Sequence, residues 1–191
     1  MLDYKKLSPA LIFIFGGSGD LNYRKLNPAL FNLFIDEAMP ENFDIVGIAR
    51  SEYEAGEYEK HLKEGIDNFS RRKGTDENWK DFASHLSYIQ MDVKDDKEYK
   101  KIEQIIKDRE AAFSTHPNVL FYMAVAPQLV SDIVKNLGGL HICHDTKCTR
   151  IVVEKPFGHD LASAKSMNKM LSEYFEEEQI FRIDHYLGKE T

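Results

Sequence analysis

Four residues in the stretch RIDHYLGKET of this 191-residue chain are of types that handle phosphates and protons: Asp184, His185, Tyr186 and Lys189. If a helix opens near Asp184, His185 and Lys189 stand four apart and Tyr186 three before the lysine, so the three share a face. An imidazole, a phenol, an ammonium and the free amides of a helix start together suit a phosphate monoester. Asp184 is either the N-cap of that helix or a carboxylate that orients a histidine brought from elsewhere. A second candidate is Lys155, directly before Pro156 in EKPFG. The X-Pro linkage disfavours helix at Lys155 and allows a cis bond, which would fix the side chain's direction. Lys155 then either hydrogen-bonds a cofactor or substrate hydroxyl or is a strand-end lysine reaching solvent.

The stretch FGGSGDLNYRKL carries a glycine turn, Gly16, Gly17, Ser18, Gly19, Asp20 and Leu21, between an apolar run and a helical pattern. Glycines there let the chain turn tightly and bring its amides close to a pyrophosphate, with the helix start behind adding partial positive charge. The spacing is not a clean G-x-G-x-x-G; the strand–turn–helix context is what favours a dinucleotide. At the end of the next apolar run stands Arg50, followed by Ser51. A basic residue there leans to the 2′-phosphate of NADP, with NAD the alternative. The competing reading is a surface arginine paired with Glu52 or Glu54.

These residues need a scaffold that delivers them to one edge. Apolar runs at Leu11–Phe15, Asp44–Ala49, Leu86–Met91, Asn118–Ala126, Arg150–Lys155 and Gln179–Ile183 read as strands covered on both faces. Between them lie helical stripes: Leu26, Leu30, Leu33 and Phe34; Tyr58, Leu62, Ile66 and Phe69; Tyr99, Ile102, Ile105 and Ile106; Leu129, Val130, Ile133, Val134 and Leu137; and Leu161, Ala164, Met167, Leu171 and Phe175. Gly138 and Gly139 read as a C-cap. Ser70–Lys80 reads as a charged loop, and Lys94–Lys101 and Ser172–Gln179 as solvated helix faces. Strand–helix alternation predicts an α/β fold with a doubly wound, mostly parallel sheet and helices on both faces. Ligands of such sheets bind beyond the carboxyl ends of the strands. The residues expected there are the glycine turn, Arg50, Asp92 and Val93, Ala126 with Pro127, Lys155 with Pro156, and Asp184 onward.

A net charge of −7 argues against nucleic acid or an anionic membrane as partner. Two cysteines, Cys143 and Cys148, make no disulfide framework and suit the cytoplasm. The early run LIFIF is too short to span a bilayer. HICHDTKC holds metal-capable side chains at a spacing that matches no common zinc pattern, so no metal is expected.

Together GGSGDLNYRKL, VVEKPFG and RIDHYLGKE resemble the glucose-6-phosphate dehydrogenase family, and FYMAVAP and IVGIAR look like that family's corresponding strands. Asn22 stands where the family usually has a small residue. The resemblance implies a Rossmann-type NADP-binding domain over 1–181. It makes 182–191 a sugar-phosphate-binding segment leading into a β+α domain beyond this chain. It implies that Gly16 to Asp20 form the dinucleotide loop, Arg50 binds the 2′-phosphate, and Asp92 and Val93 lie near the adenine. Lys155 would contact both glucose 6-phosphate and coenzyme, Pro156 would position the nicotinamide, and His185, Tyr186 and Lys189 would grip the sugar phosphate. Asp184 would pair with a general-base histidine that nothing in this chain matches, so the chain alone is expected to be inactive. The full-length form would be a homo-oligomer. Two other readings stand beside this one: a non-catalytic NADP-binding redox sensor, and a short-chain reductase. The latter is disfavoured because Tyr186 and Lys189 are three apart rather than four.

Overall fold

A computed structural model describes residues 4–140, 146–155, 157, 158 and 160–183. Six strands, β1 (Ala10–Phe15), β2 (Phe43–Ala49), β3 (Leu86–Gln90), β4 (Asn118–Met123), β5 (Thr149–Glu154) and β6 (Ile180–Ile183), form one sheet in the order β3-β2-β1-β4-β5-β6. Every neighbouring pair is parallel. The expected doubly wound fold is therefore present. Parallel neighbours require crossovers, and the helices supply them: α1 (Asn27–Ile35), α2 (Glu57–Phe69), α3 (Asp76–Ala83), α4 (Lys100–Phe113), α5 (Pro127–Gly138) and α6 (Leu161–Tyr174). No described helix is long and apolar enough to cross a membrane.

Strand alternation divides the core in two. Leu11, Phe13 and Phe15 of β1 point to one face, where Ile102 and Ile106 of α4, Ile133 and Leu137 of α5 and Leu171 of α6 close over them. Ile14 points to the other, with Phe31 of α1, Tyr58 and Leu62 of α2 and Phe82 of α3. Each such side chain, fully buried, contributes about 1.5–3 kcal/mol of transfer free energy, which is why the central strands read as unbroken apolar runs.

Several local expectations are corrected. In the first stripe Leu33 is 45% exposed and Phe31, not Leu33, enters the core; Leu33 looks instead over the face of β4–β6 that carries Tyr122, Glu154 and Ile183. Phe181 and Ile183 of β6 are exposed on that same face. Phe69 and Leu161 are also exposed, the latter on the first turn of α6. The charged stretch Ser70–Lys80 is half helix: Thr75 and Asn78 form a capping box that starts α3 and turns Phe82 inward. Ser172–Gln179 is no solvated helix face, because α6 stops at Tyr174, Phe175 is buried, and buried Gln179 donates from Nε2 to the Thr149 carbonyl at 3.2 Å. Gly139 is the C-cap of α5, as the sequence suggests, and it caps with a right-handed backbone. β4 ends at Met123, three residues before the expected Ala126.

At the opposite end of the sheet Asp44 is 7% exposed beside Arg109, whose Nε lies 2.7 Å from Oδ2 without hydrogen-bond alignment. Burial pushes the Asp44 carboxyl above its ordinary value of 3.8, offset only in part by Arg109 and His85. The folded chain thus prefers the protonated acid, a contribution fully present below 3.8 and lost as pH rises through the folded-state value. Asp44→Asn is accordingly expected to melt above the native chain at pH 7, with the margin closing as the pH falls to about 4. Thermal melts at both pH values check this; a lower melting point at pH 7 would mean that the ion pair outweighs its desolvation.

Candidate active site

The strand register puts the carboxyl ends level: Phe15 pairs with Ile48 and Met123, Met123 with Val153, Ala49 with Gln90, and Glu154 with Ile183. Met91, Arg50, Gly16, Ala124 and Lys155 therefore follow one another along a single edge. Two strand spacings, about 10 Å, separate the glycine turn from Lys155, a span that a dinucleotide covers. The edge is a sheet-wide consequence of parallel pairing, not of any one motif.

The glycine turn is tied down from behind. Gly16 and Gly17 both donate to the Ile48 carbonyl, at 2.8 and 2.9 Å, and Gly19 donates back to Gly16 at 2.8 Å. Gly16 has φ +88°, and a Cβ there would lie 2.0 Å from the Ala124 carbonyl oxygen. A Cβ on Gly17 would lie 2.6 Å from the Cα of Gly47 in β2. Gly47 is itself obligatory, since its own Cβ would lie 1.9 Å from the Tyr58 hydroxyl. After the turn the helix opens at Asp20 and passes through a π-helical turn, Asn22–Leu26, closed by a bond from the Asn27 amide to the Asn22 carbonyl.

Asn22 is fully buried and sends Nδ2 back to the Gly17 carbonyl at 2.6 Å. Tyr58, from α2, donates to the same carbonyl at 3.3 Å and accepts from Asn22 at 3.3 Å. Asn27 donates to the Asn22 Oδ1, also at 3.3 Å. Burial drives the Tyr58 phenol well above its ordinary range, against the smaller lowering influence of Asn22, so it is a neutral donor at any physiological pH. Sequence reasoning missed Gly47 and Tyr58 as parts of the turn. The signal that existed was Asn22 itself, a polar residue directly behind the glycine turn.

Arg50 is exposed, and among the described residues its guanidinium makes no ion pair, with Glu52, Glu54 or any other carboxylate. Its backbone is held: Gln90 donates to the Arg50 carbonyl at 3.3 Å and Tyr88 to that of Ser51 at 2.6 Å. The Ser51 and Ser18 hydroxyls lie 3.2 Å apart, linking the glycine turn to the end of β2. Asp92 is exposed and accepts from the Lys94 amide, whereas Val93 packs its side chain in the core and gives its carbonyl to Tyr99 and Asn136. Val93 can therefore offer a ligand only backbone shape. Ala126 is the N-cap of α5.

Lys155 continues the β5–β6 ladder, donating its amide to the Ile183 carbonyl at 3.3 Å. It opens onto a groove of about 990 Å³ between α1 and the ends of β4–β6. Five basic residues, Arg24, Lys25, Arg71, Arg72 and Lys155, line that groove against the acidic Asp36 and Glu154, in a chain whose overall charge is negative. Lys25 is a second ammonium that sequence reasoning overlooked, because it reads as an ordinary surface lysine. Tyr122 donates to Glu154 at 2.6 Å in the same groove; burial, then Glu154, pushes its phenol up, so it stays protonated. Pro156, Asp184, His185, Tyr186 and Lys189 lie outside the described residues, as does most of HICHDTKC. Among the described residues no group of three or more His, Cys, Asp or Glu could hold a metal ion.

Residues 13–191 match the family model described as glucose-6-phosphate dehydrogenase, NAD binding domain. Glucose-6-phosphate 1-dehydrogenase of Bacillus subtilis is 37% identical over 181 residues, covering 95% of this chain and 36% of the relative. That of Streptococcus pneumoniae is 38% identical over 183 residues, with 96% and 36% covered. A solved glucose-6-phosphate dehydrogenase in complex with glucose 6-phosphate superposes with a TM-score of 0.81 at 35% identity, over 95% of this chain and 37% of that one. The Mycobacterium avium structure gives a TM-score of 0.80 at 32% identity, again over 95% and 37%. The chain thus spans little more than a third of the length of these relatives.

Proposed function

The chain belongs to the glucose-6-phosphate dehydrogenase family, and we propose that it is the coenzyme-binding part of an enzyme that oxidises C1 of glucose 6-phosphate to 6-phosphogluconolactone with NADP. The single observation that carries this reading is the level edge, where an arginine after β2 with no ion pair among the described residues, the glycine turn after β1 and a lysine-bearing basic groove beside β5 follow in the order a dinucleotide and a sugar phosphate require.

The nicotinamide, when bound, accepts the hydride from C1. In the proposed arrangement the glycine turn holds the pyrophosphate, Arg50 with Ser18 and Ser51 holds the 2′-phosphate, and Asp92 with Val93 borders the adenine. Ala126 and Pro156 border the nicotinamide. Lys155 hydrogen-bonds the reacting sugar, and the positive groove draws the phosphate, with His185, Tyr186 and Lys189 as its grip. The C1 hydroxyl proton goes to a general-base histidine that Asp184 orients and that the longer relatives would carry outside the matched region. The full-length form is proposed to be a cytoplasmic homo-oligomer.

Calorimetric titration and absorbance at the reduced-nicotinamide band test the division of labour. The 191-residue chain is expected to bind NADP and to produce no NADPH with glucose 6-phosphate. Absence of NADP binding would overturn the coenzyme reading; steady NADPH production would overturn the assignment of the base to another region. Sugar-phosphate-dependent exchange protection over residues 182–191 is expected, whereas a redox sensor would show none.

A further inference from the structure

Behind the glycine turn stands a polar network in a place where an apolar contact would be less costly. Asn22 and Asn27 are two of the five buried polar residues described, and both lie on the helix that follows the turn. Among the described residues Asn27 Oδ1 has no hydrogen-bond partner, so the network is kept despite an unmet cost. Two of its bonds converge on one atom, the Gly17 carbonyl oxygen, and the others link Asn22 to Tyr58 and Asn27 to Asn22.

We infer that Asn22 and Tyr58 are positioning residues that set the direction of the Gly17–Ser18 peptide and thereby aim the Ser18 amide at the coenzyme's pyrophosphate. The inference rests on the coenzyme reading above. In a trans peptide the carbonyl and the following N–H point in opposite directions. Two buried donors hold the Gly17 carbonyl inward, so the Ser18 N–H points outward, on the side where the turn meets solvent. A glycine before the peptide would otherwise let the plane rotate at little cost. Tyr58 reaches the carbonyl only because Gly47 has no side chain. Asn22 reaches it from the first residue of the π-helical turn. Binding then proceeds without the entropic cost of ordering that amide.

The test uses the 191-residue chain and three ligands: NADP, ADP-ribose, which carries the pyrophosphate, and adenosine 2′-monophosphate, which does not. Tyr58→Phe keeps the ring and is expected to weaken NADP and ADP-ribose about fivefold, and Asn22→Ala about tenfold or more, while adenosine 2′-monophosphate changes less than about twofold. Because both donors act through one carbonyl, the double variant should lose little more than Asn22→Ala alone. Amide resonances should shift first at Ser18. Equal weakening of all three ligands would reduce the network to general support of the fold, and unchanged ADP-ribose affinity in both variants would also overturn the inference. Failure of the native chain to bind NADP at all would instead overturn the coenzyme reading, and this inference with it.

Discussion

Gly16→Ala is expected to destabilise the chain by about 3–5 kcal/mol, lowering its melting point by about 10 °C, and to abolish NADP binding by the protein that remains folded. Two costs coincide at this residue. Its φ of +88° is one that a side chain tolerates poorly, and the new methyl would stand 2.0 Å from the Ala124 carbonyl oxygen. That oxygen belongs to the backbone just past β4, paired in register with β1, so it cannot yield without shearing the sheet edge. Gly56 separates the two costs. It has φ +81°, but a Cβ there meets nothing within 4 Å, so Gly56→Ala should cost only about 1–2 kcal/mol and spare NADP binding. Thermal melts with and without NADP decide between them. Equal losses at the two glycines would mean that backbone conformation alone, and not the approach of β4, shapes the turn.

Arg50→Ala is expected to weaken NADP about 10–100-fold while leaving NAD within about threefold. Among the described residues the guanidinium has no carboxylate partner to leave behind, so its removal strands no buried charge. The effect should shrink as salt is raised, because the side chain is exposed and the contact is screened. Parallel calorimetric titrations of both coenzymes check it. Similar losses for NADP and NAD would remove Arg50 from the 2′-phosphate and leave Ser18 and Ser51 as the remaining candidates at that position.

The six strands and the doubly wound architecture were legible because buried parallel strands need apolar residues on both faces, and runs such as LIFIF carry that mark. The glycine turn, Arg50 and Lys155 were legible for a related reason: each directly follows a strand, so its place at the carboxyl edge comes with the strand. Boundaries were less so. Asn118–Ala126 reads as one apolar run, but the ladder ends at Met123 because the chain must turn into α5. Leu33 reads as core by its spacing, yet its face of α1 overlooks β4–β6, and spacing does not say which side of a helix is covered.

What the sequence by itself determined is the kind of protein this is: a parallel α/β sheet that resembles the glucose-6-phosphate dehydrogenase family, with its candidate site residues placed directly after strands. That information is local, written in apolar runs and in short motifs beside them. Tertiary structure alone decided how the turn is held, through Gly47, Tyr58 and Asn22, and that Lys25 shares a groove with Lys155. Lys25 and Lys155 lie 130 positions apart in the chain, and only packing brings together side chains that no periodicity links.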